Sequence, residues 1–138
     1  NTKSKGYRAL FRWRYGSNYR LRSKIMENCL FCKIIKGEIP ATKMYEDDNM
    51  IIIKDIDPKA KNHFLAIPKS HFKLLSEMNE EQSQMVRKCL MTIPKLQKEL
   101  GLENGYSLVI NQGDDAGQTV FHLHIHILSG QKMGWTPA

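Results

Sequence analysis

Apolar positions come in short bursts along this chain, and their spacing changes from element to element. Residues 29–36, CLFCKIIK, predict a short helix from Cys29 to Lys36, stopped by Gly37, with Pro40 enforcing an extended exit. TKMYE (42–46) and NMIIIKDI (49–56) read as two strands around an Asp47-Asp48-Asn49 turn, and NHFLAIP (62–68) as a third strand ended by Pro68. Between residues 79 and 100 the period becomes helical, with Met85, Cys89, Ile93, Leu96 and Leu100 as the buried stripe. Asn79 with Gln82 three residues on resembles a capping box. Pro94 should kink this helix because it offers no N–H to the Leu90 carbonyl, and Gly101 closes it. YSLVINQG (106–113) and VFHLHIHIL (120–128) are the fourth and fifth strands, joined through the loop GDDAG. The sum is a small α+β domain: a five-stranded antiparallel sheet, one long helix and a short N-terminal helix.

The fifth strand carries an unusual pattern. His122, His124 and His126 alternate with apolar residues, so on a strand they share one face, spaced about 7 Å apart. Phe121, Leu123, Ile125 and Ile127 take the opposite face, the expected core side. A helix would scatter the three imidazoles around its circumference.

Composition sets bounds on what this ridge can serve. With 41% hydrophobic and 25% charged residues the chain is ordinary for a globular domain of 138 residues. No apolar run approaches the ~18–20 residues that cross a membrane. The formal charge of +7 is not spread evenly. Residues 1–26 hold eight basic and no acidic residues, and the remaining 112 hold 13 basic against 14 acidic. A nearly neutral body argues against a nucleic-acid footprint on it. Residues 1–26 are therefore set apart from the domain at 27–138, with three readings open: an appended tag or read-through, an organellar transit peptide, or a basic aromatic arm for RNA or anionic surfaces. The three cysteines form no disulfide framework and suit a reducing compartment, here the cytoplasm unless residues 1–26 are a transit peptide.

A neutral imidazole is nucleophile, base and metal ligand. The ridge thus reads either as a three-histidine metal site or as a nucleophile with orienting neighbours; a solvated strand face leaves it without a task. NQGDDAGQTV precedes it. Gly113 and Gly117 allow a tight loop whose backbone N–H groups face an anion, with Asn111, Gln118 and Thr119 as further polar groups. No carboxylate follows the histidines as a further ligand, which favours the phosphate reading. Cys29 and Cys32 form a C-x-x-C pair, open to a metal role, a redox role or plain burial; Cys89 falls in the helix stripe and reads as core.

HLHIHIL, together with CLFCKIIKGEIP, YEDD, KDIDPKAKNHFLAIPKSH, LVINQGDDAGQTV and the terminal MGWTPA, resembles the Hint branch of the histidine triad superfamily, from about Cys29 to the end of the chain. The resemblance implies the HIT fold, a homodimer joined into a ten-stranded sheet, and hydrolysis of purine nucleoside phosphoramidates or acyl adenylates, releasing AMP or GMP through a nucleotidyl-histidine intermediate. The rival implication is a nucleotide-binding interaction protein with vestigial hydrolysis. By the same resemblance His124 is the nucleophile, His126 and Asn111 bind the α-phosphate, and Gly117, Gln118 and Thr119 complete the cradle. Thr119 stands where the family usually has Ser. Asp55 pairs with the ribose hydroxyls. Leu30, Phe31, Ile39, Ile53 and Ile56 form the base slot, with Lys54 where animal relatives often have His. His63 stands behind the triad. No catalytic metal is required, but relatives of bacterial type imply a structural zinc on Cys29, Cys32, His71 and His122.

Overall fold

The structure, a computed structural model, describes residues 28–134. The basic segment 1–26 and the last four residues of MGWTPA lie outside the described residues.

Helix α1 is Leu30–Lys36, with Cys29 as its N-cap: the Cys29 Sγ accepts from the Cys32 backbone N–H. Gly37, at φ 83°, closes it in the left-handed region that glycine enters without a Cβ clash. Strands β1 (Lys43–Glu46), β2 (Met50–Lys54) and β3 (Asn62–Pro68) form an antiparallel meander. Asp47 shapes the first turn by accepting the Asn49 and Met50 N–H groups on Oδ1. Helix α2 is Glu80–Thr92, opened by the capping box expected of Asn79 and Gln82. Strands β4 (Tyr106–Val109) and β5 (Ile125–Ser129) complete an antiparallel sheet of order β1-β2-β3-β5-β4.

Three expectations are revised. The helix at 79–100 is not one kinked rod: after α2 it tightens into a 3₁₀ turn at Ile93–Leu96 and ends as a short helix α3, Gln97–Leu100. Pro94 is the cause, since it leaves the Leu90 carbonyl without its donor. On α2 the buried stripe includes Val86, while Met85 is half-buried. The fourth and fifth strands are also shorter than the alternation implied. Residues 120–124 leave the ladder because their partners lie elsewhere: the Leu123 N–H donates to the Phe72 carbonyl, and the His122 ring reaches the Pro68 carbonyl.

The sheet is buried on both faces. Cys89 and Ile93 pack with Met50, Ile52, Phe64, Ala66, Ile125 and Ile127 on one. Helix α1 covers the other, setting Phe31, Cys32 and Ile34 on Ile51, Ile53, Leu65 and Ile67. Register places Leu65 beside both Ile53 and His126, so the α1 face carries the imidazole. No helix among the described residues is long and apolar enough to cross a membrane.

Candidate active site and metal centre

A cavity of about 690 Å³ opens on the α1 face. Leu30, Phe31, Ile39, Ile53 and Ile56 supply apolar wall, with Lys54 and Asp55 beside them. Asn111, Gly117 and Thr119 approach from the loop before β5, and His63, His124 and His126 also line it. Thirteen of the residues expected to touch nucleotide or catalyse therefore share one hollow. Sequence reasoning missed nine wall residues, Leu65, Leu128 and Lys59 among them. Strand alternation could have found Leu65, two residues from His63, and Leu128, two from His126.

Two expected residues stand outside this wall. Gln118 is buried, and its amide is spent as a brace: Oε1 accepts the Gly113 N–H at 2.8 Å, while Nε2 donates to the Lys73 carbonyl at 3.0 Å. His122 is fully buried on the opposite side of the triad, against the cysteines. The loop also differs from an open cradle. The N–H groups of Ala116, Gly117 and Gln118 donate to the carbonyls of Gly113 or Asp114, closing a 3₁₀ turn at Asp114–Ala116. Asn111 Nδ2 donates to the Ala116 carbonyl at 2.8 Å. Donors toward the cavity thus come from side chains rather than from those three amides.

The chain assigns four of its five imidazoles a tautomer. A carbonyl can only accept, so a ring nitrogen facing one carries the proton. His124 Nδ1 lies 2.7 Å from the His122 carbonyl, which leaves the lone pair on Nε2. His122 Nε2 lies 2.7 Å from the Pro68 carbonyl, which leaves its lone pair on Nδ1. His63 Nδ1 accepts the Lys59 backbone N–H at 2.9 Å, so a neutral His63 keeps its proton on Nε2. That Nε2 sits 2.9 Å from His126 Nδ1 and 3.3 Å from Asp55 Oδ2. His126 Nδ1 then accepts, and its Nε2 keeps an N–H.

Charge state agrees with this assignment. Burial lowers His63 and His124 below the usual imidazole value, and burial with the adjacent His124 and His63 takes His126 down to about 4. The His63–Asp55 contact is therefore not an ion pair near pH 7, and the single Nε2 proton of the neutral ring goes to His126. Phe31 helps hold the nucleophile candidate, its ring edge-on to His124 with centroids 5.0 Å apart.

Cys29, Cys32, His71 and His122 form a separate cluster whose four ligand atoms lie within 4.8 Å of one another. Cys29 Sγ is 3.4 Å from His122 Nδ1, Cys32 Sγ is 3.6 Å from the same atom, and Cys32 Sγ is 3.3 Å from His71 Nδ1. Tetrahedral zinc with ordinary Zn–S and Zn–N bonds sets its ligand atoms about 3.5 Å apart, so this donor set fits it. The Pro68 carbonyl on His122 Nε2 is the outer partner that turns the Nδ1 lone pair inward. The Cys29 thiol is pulled far below its ordinary value, first by its hydrogen bond with Cys32 and further by His122 and His71, against the cost of burial. Cys89 is the opposite case: burial pushes it up to about 12, as suits an inert core thiol.

A family model described as "Scavenger mRNA decapping enzyme C-term binding" matches residues 28–136. The protein named HitA of Neisseria gonorrhoeae is 47% identical over 103 residues, covering 75% of this chain and 96% of its own. A crystal structure of a HIT family hydrolase from Legionella pneumophila is 45% identical, with a TM-score of 0.76, covering 80% of this chain and 100% of its own. A Zn-bound histidine triad family protein from Mycobacterium smegmatis is 36% identical, with a TM-score of 0.68, covering 80% of this chain and 82% of its own. Fold, histidine spacing and this breadth of likeness make the chain a member of the histidine triad superfamily.

Proposed function

We propose that the protein hydrolyses purine nucleoside phosphoramidates or acyl adenylates, releasing the nucleoside monophosphate through a nucleotidyl-His124 intermediate. The observation that carries this is the His124 tautomer: a buried, neutral ring with Nδ1–H tied to the His122 carbonyl and Nε2 left with its lone pair at the cavity. The Legionella relative described as a hydrolase supports the same direction.

The lone pair of His124 Nε2 attacks phosphorus, and the P–N bond breaks with its electron pair on nitrogen. Thr119, the hydroxyl-bearing residue of the cavity wall, protonates the departing amine. His126 Nε2–H and Asn111 hold the phosphoryl oxygens. Water then attacks phosphorus, the P–Nε2 pair returns to His124, and the proton shed by water restores Thr119. Asp55 holds the ribose hydroxyls, and the apolar wall takes the base.

The Cys29, Cys32, His71 and His122 set holds zinc as a structural ion, which ties the start of α1 to the segment that carries His124. The Mycobacterium relative, described as Zn-bound, supports this. The functional unit is a homodimer.

A second reading, a nucleotide-binding protein with vestigial turnover, draws on the closed loop at 113–118, whose three amides face inward. One experiment separates the two. Rapid quench of an adenosine phosphoramidate should trap nucleotide on His124 and release AMP, with about one zinc per chain by metal analysis. Binding of AMP without any covalent adduct or turnover would favour the second reading.

A further inference from the structure

The four residues assigned to zinc include two that can change oxidation state, and their surroundings are unequal. Cys29 lines a hollow of about 290 Å³ whose wall includes the exposed Lys73 and Phe121. Cys32 is fully buried between α1 and the sheet and is not part of that wall. Cys89 is buried in the core on the opposite face of the sheet. A solute entering the hollow therefore meets Cys29 first, with Cys32 as the neighbouring sulfur, within 4.8 Å. The C-x-x-C spacing across the start of α1 sets the two Cα atoms one helical turn apart, roughly 5.4 Å, inside the ~4.4–6.8 Å that a disulfide spans.

This pair is tied to the nucleotide cavity at two points. His122 belongs to both places: its Nδ1 lies 3.4 Å from Cys29 Sγ and 3.6 Å from Cys32 Sγ, while its carbonyl accepts the Nδ1–H of His124 at 2.7 Å. Cys29 is also the N-cap of α1, its Sγ accepting the Cys32 backbone N–H at 3.4 Å. The turn held in this way carries Leu30 and Phe31, both in the cavity wall. The Phe31 ring stands edge-on to His122 and His124, with centroids 5.9 and 5.0 Å away. A change of bonding at Cys29 therefore acts on the backbone anchor of the nucleophile and on one end of the base slot together.

We propose that Cys29 and Cys32 are a redox switch on the nucleotide site: a peroxide oxidises them to a disulfide, releasing zinc and disarming His124, and a dithiol with zinc reverses the change. The proposal rests on zinc at the four residues and not on the nature of the substrate. The Cys29 thiolate attacks one oxygen of hydrogen peroxide, the O–O bond breaks, and the departing oxygen takes a proton from solvent and leaves as water. The Cys32 thiolate then attacks the sulfenic sulfur of Cys29. The S–S bond forms, the S–O bond breaks, and a second water leaves after protonation from solvent. Two electrons have passed from the sulfurs to the peroxide. Only His71 and His122 then remain as ligands, too few for a closed zinc site. The Cys29 sulfur also gives up its place as the cap of α1.

The test uses the full chain, purified without chelator. Hydrogen peroxide should release about one zinc per chain to a chromogenic chelator. Peptide mapping should show a Cys29–Cys32 disulfide growing in step, with Cys89 left as a thiol. Over the same course AMP affinity by calorimetry and turnover of an adenosine phosphoramidate should each fall about tenfold, the scale on which losing the outer partner of a ligand is felt. A dithiol with added zinc should restore both. Cys89→Ala should respond to peroxide as the unaltered protein does. Zinc released with the sulfurs carried on to sulfinic acids, or with Cys29 joined to a second chain, overturns the switch. So does a Cys29–Cys32 disulfide that leaves AMP affinity and turnover unmoved. Protein that holds no zinc while both thiols are reduced overturns the zinc site and the switch with it.

Discussion

His124 keeps its proton on Nδ1 while His122 and His126 keep theirs on Nε2, and a backbone group decides each case directly or through His63. That ordering predicts unlike losses. His124→Ala should cut turnover by about a thousandfold or more while AMP binding persists, the mark of a group needed in the transition state. His122→Ala should show first as lost metal and lower stability, then as a partial activity defect, because His124 still finds the residue 122 carbonyl. Isothermal titration with AMP, metal analysis and steady-state kinetics on both variants check this; equal, mild effects would break the division of labour. Protonation gives a second test. His126 titrates at about 4 in the fold against an ordinary imidazole value near 6.5, chiefly through burial. Between those values the unfolded chain binds the extra proton, so stability falls as pH drops from about 6.5 to about 4. His126→Gln should flatten that part of the Tm–pH curve relative to the unaltered protein. Parallel curves would refute the depressed value.

Element boundaries followed local rules where neighbours agreed with them. Strand β3 runs over Asn62–Pro68 as its apolar run implied, because β5 pairs residues 62–66 and β2 pairs residues 64–68, which together span that length. The capping box at Asn79 was legible because it is made entirely within four residues. Strand β5 was overestimated because alternation cannot tell a ladder residue from one whose partner is Phe72 or Pro68, more than 45 positions away in the chain. The candidate site was legible through motif resemblance, but the task of Gln118 was not: an amide next to a glycine reads as a ligand donor, and only the fold shows it occupied by Gly113 and Lys73. Gln118→Met keeps the volume and removes these bonds. Leaving the buried groups unpaired should cost about 1–3 kcal/mol. Denaturant unfolding should show that loss, and kcat/KM should fall as the loop bearing Thr119 loosens. Unchanged stability would mean that the brace is idle.

At the scale of the molecule, charge and edge chemistry point in different directions. The basic residues of 1–26 belong to a segment before the matched family region at 28–136. Removing residues 1–25 should therefore leave Tm and phosphoramidase turnover within error, and a large loss of either would show that the segment packs on the domain. The sheet order leaves β1 and β4 at its edges. Edge β1 is guarded by charge: Lys43 pairs with Glu46 at 3.1 Å, and Glu46 with Lys69 at 2.8 Å. Edge β4, YSLV, carries no charge, and its Leu108 and Val109 are 38% and 37% exposed. An uncharged, apolar edge invites pairing with another strand. Leu90 and Met91 on α2 are exposed as well, which offers a second patch of the kind a homodimer covers. Antiparallel pairing of β4 with its copy would join two five-stranded sheets into ten strands. Leu108 faces away from the nucleotide cavity wall while its neighbour Val109 lines it, so Leu108 is the position to change. Leu108→Lys should place like charges near the two-fold axis and shift the protein from dimer to monomer in analytical ultracentrifugation, with a steep dependence on salt. A protein that sediments as a monomer before any substitution, at concentrations well above micromolar, would rule the ten-stranded assembly out.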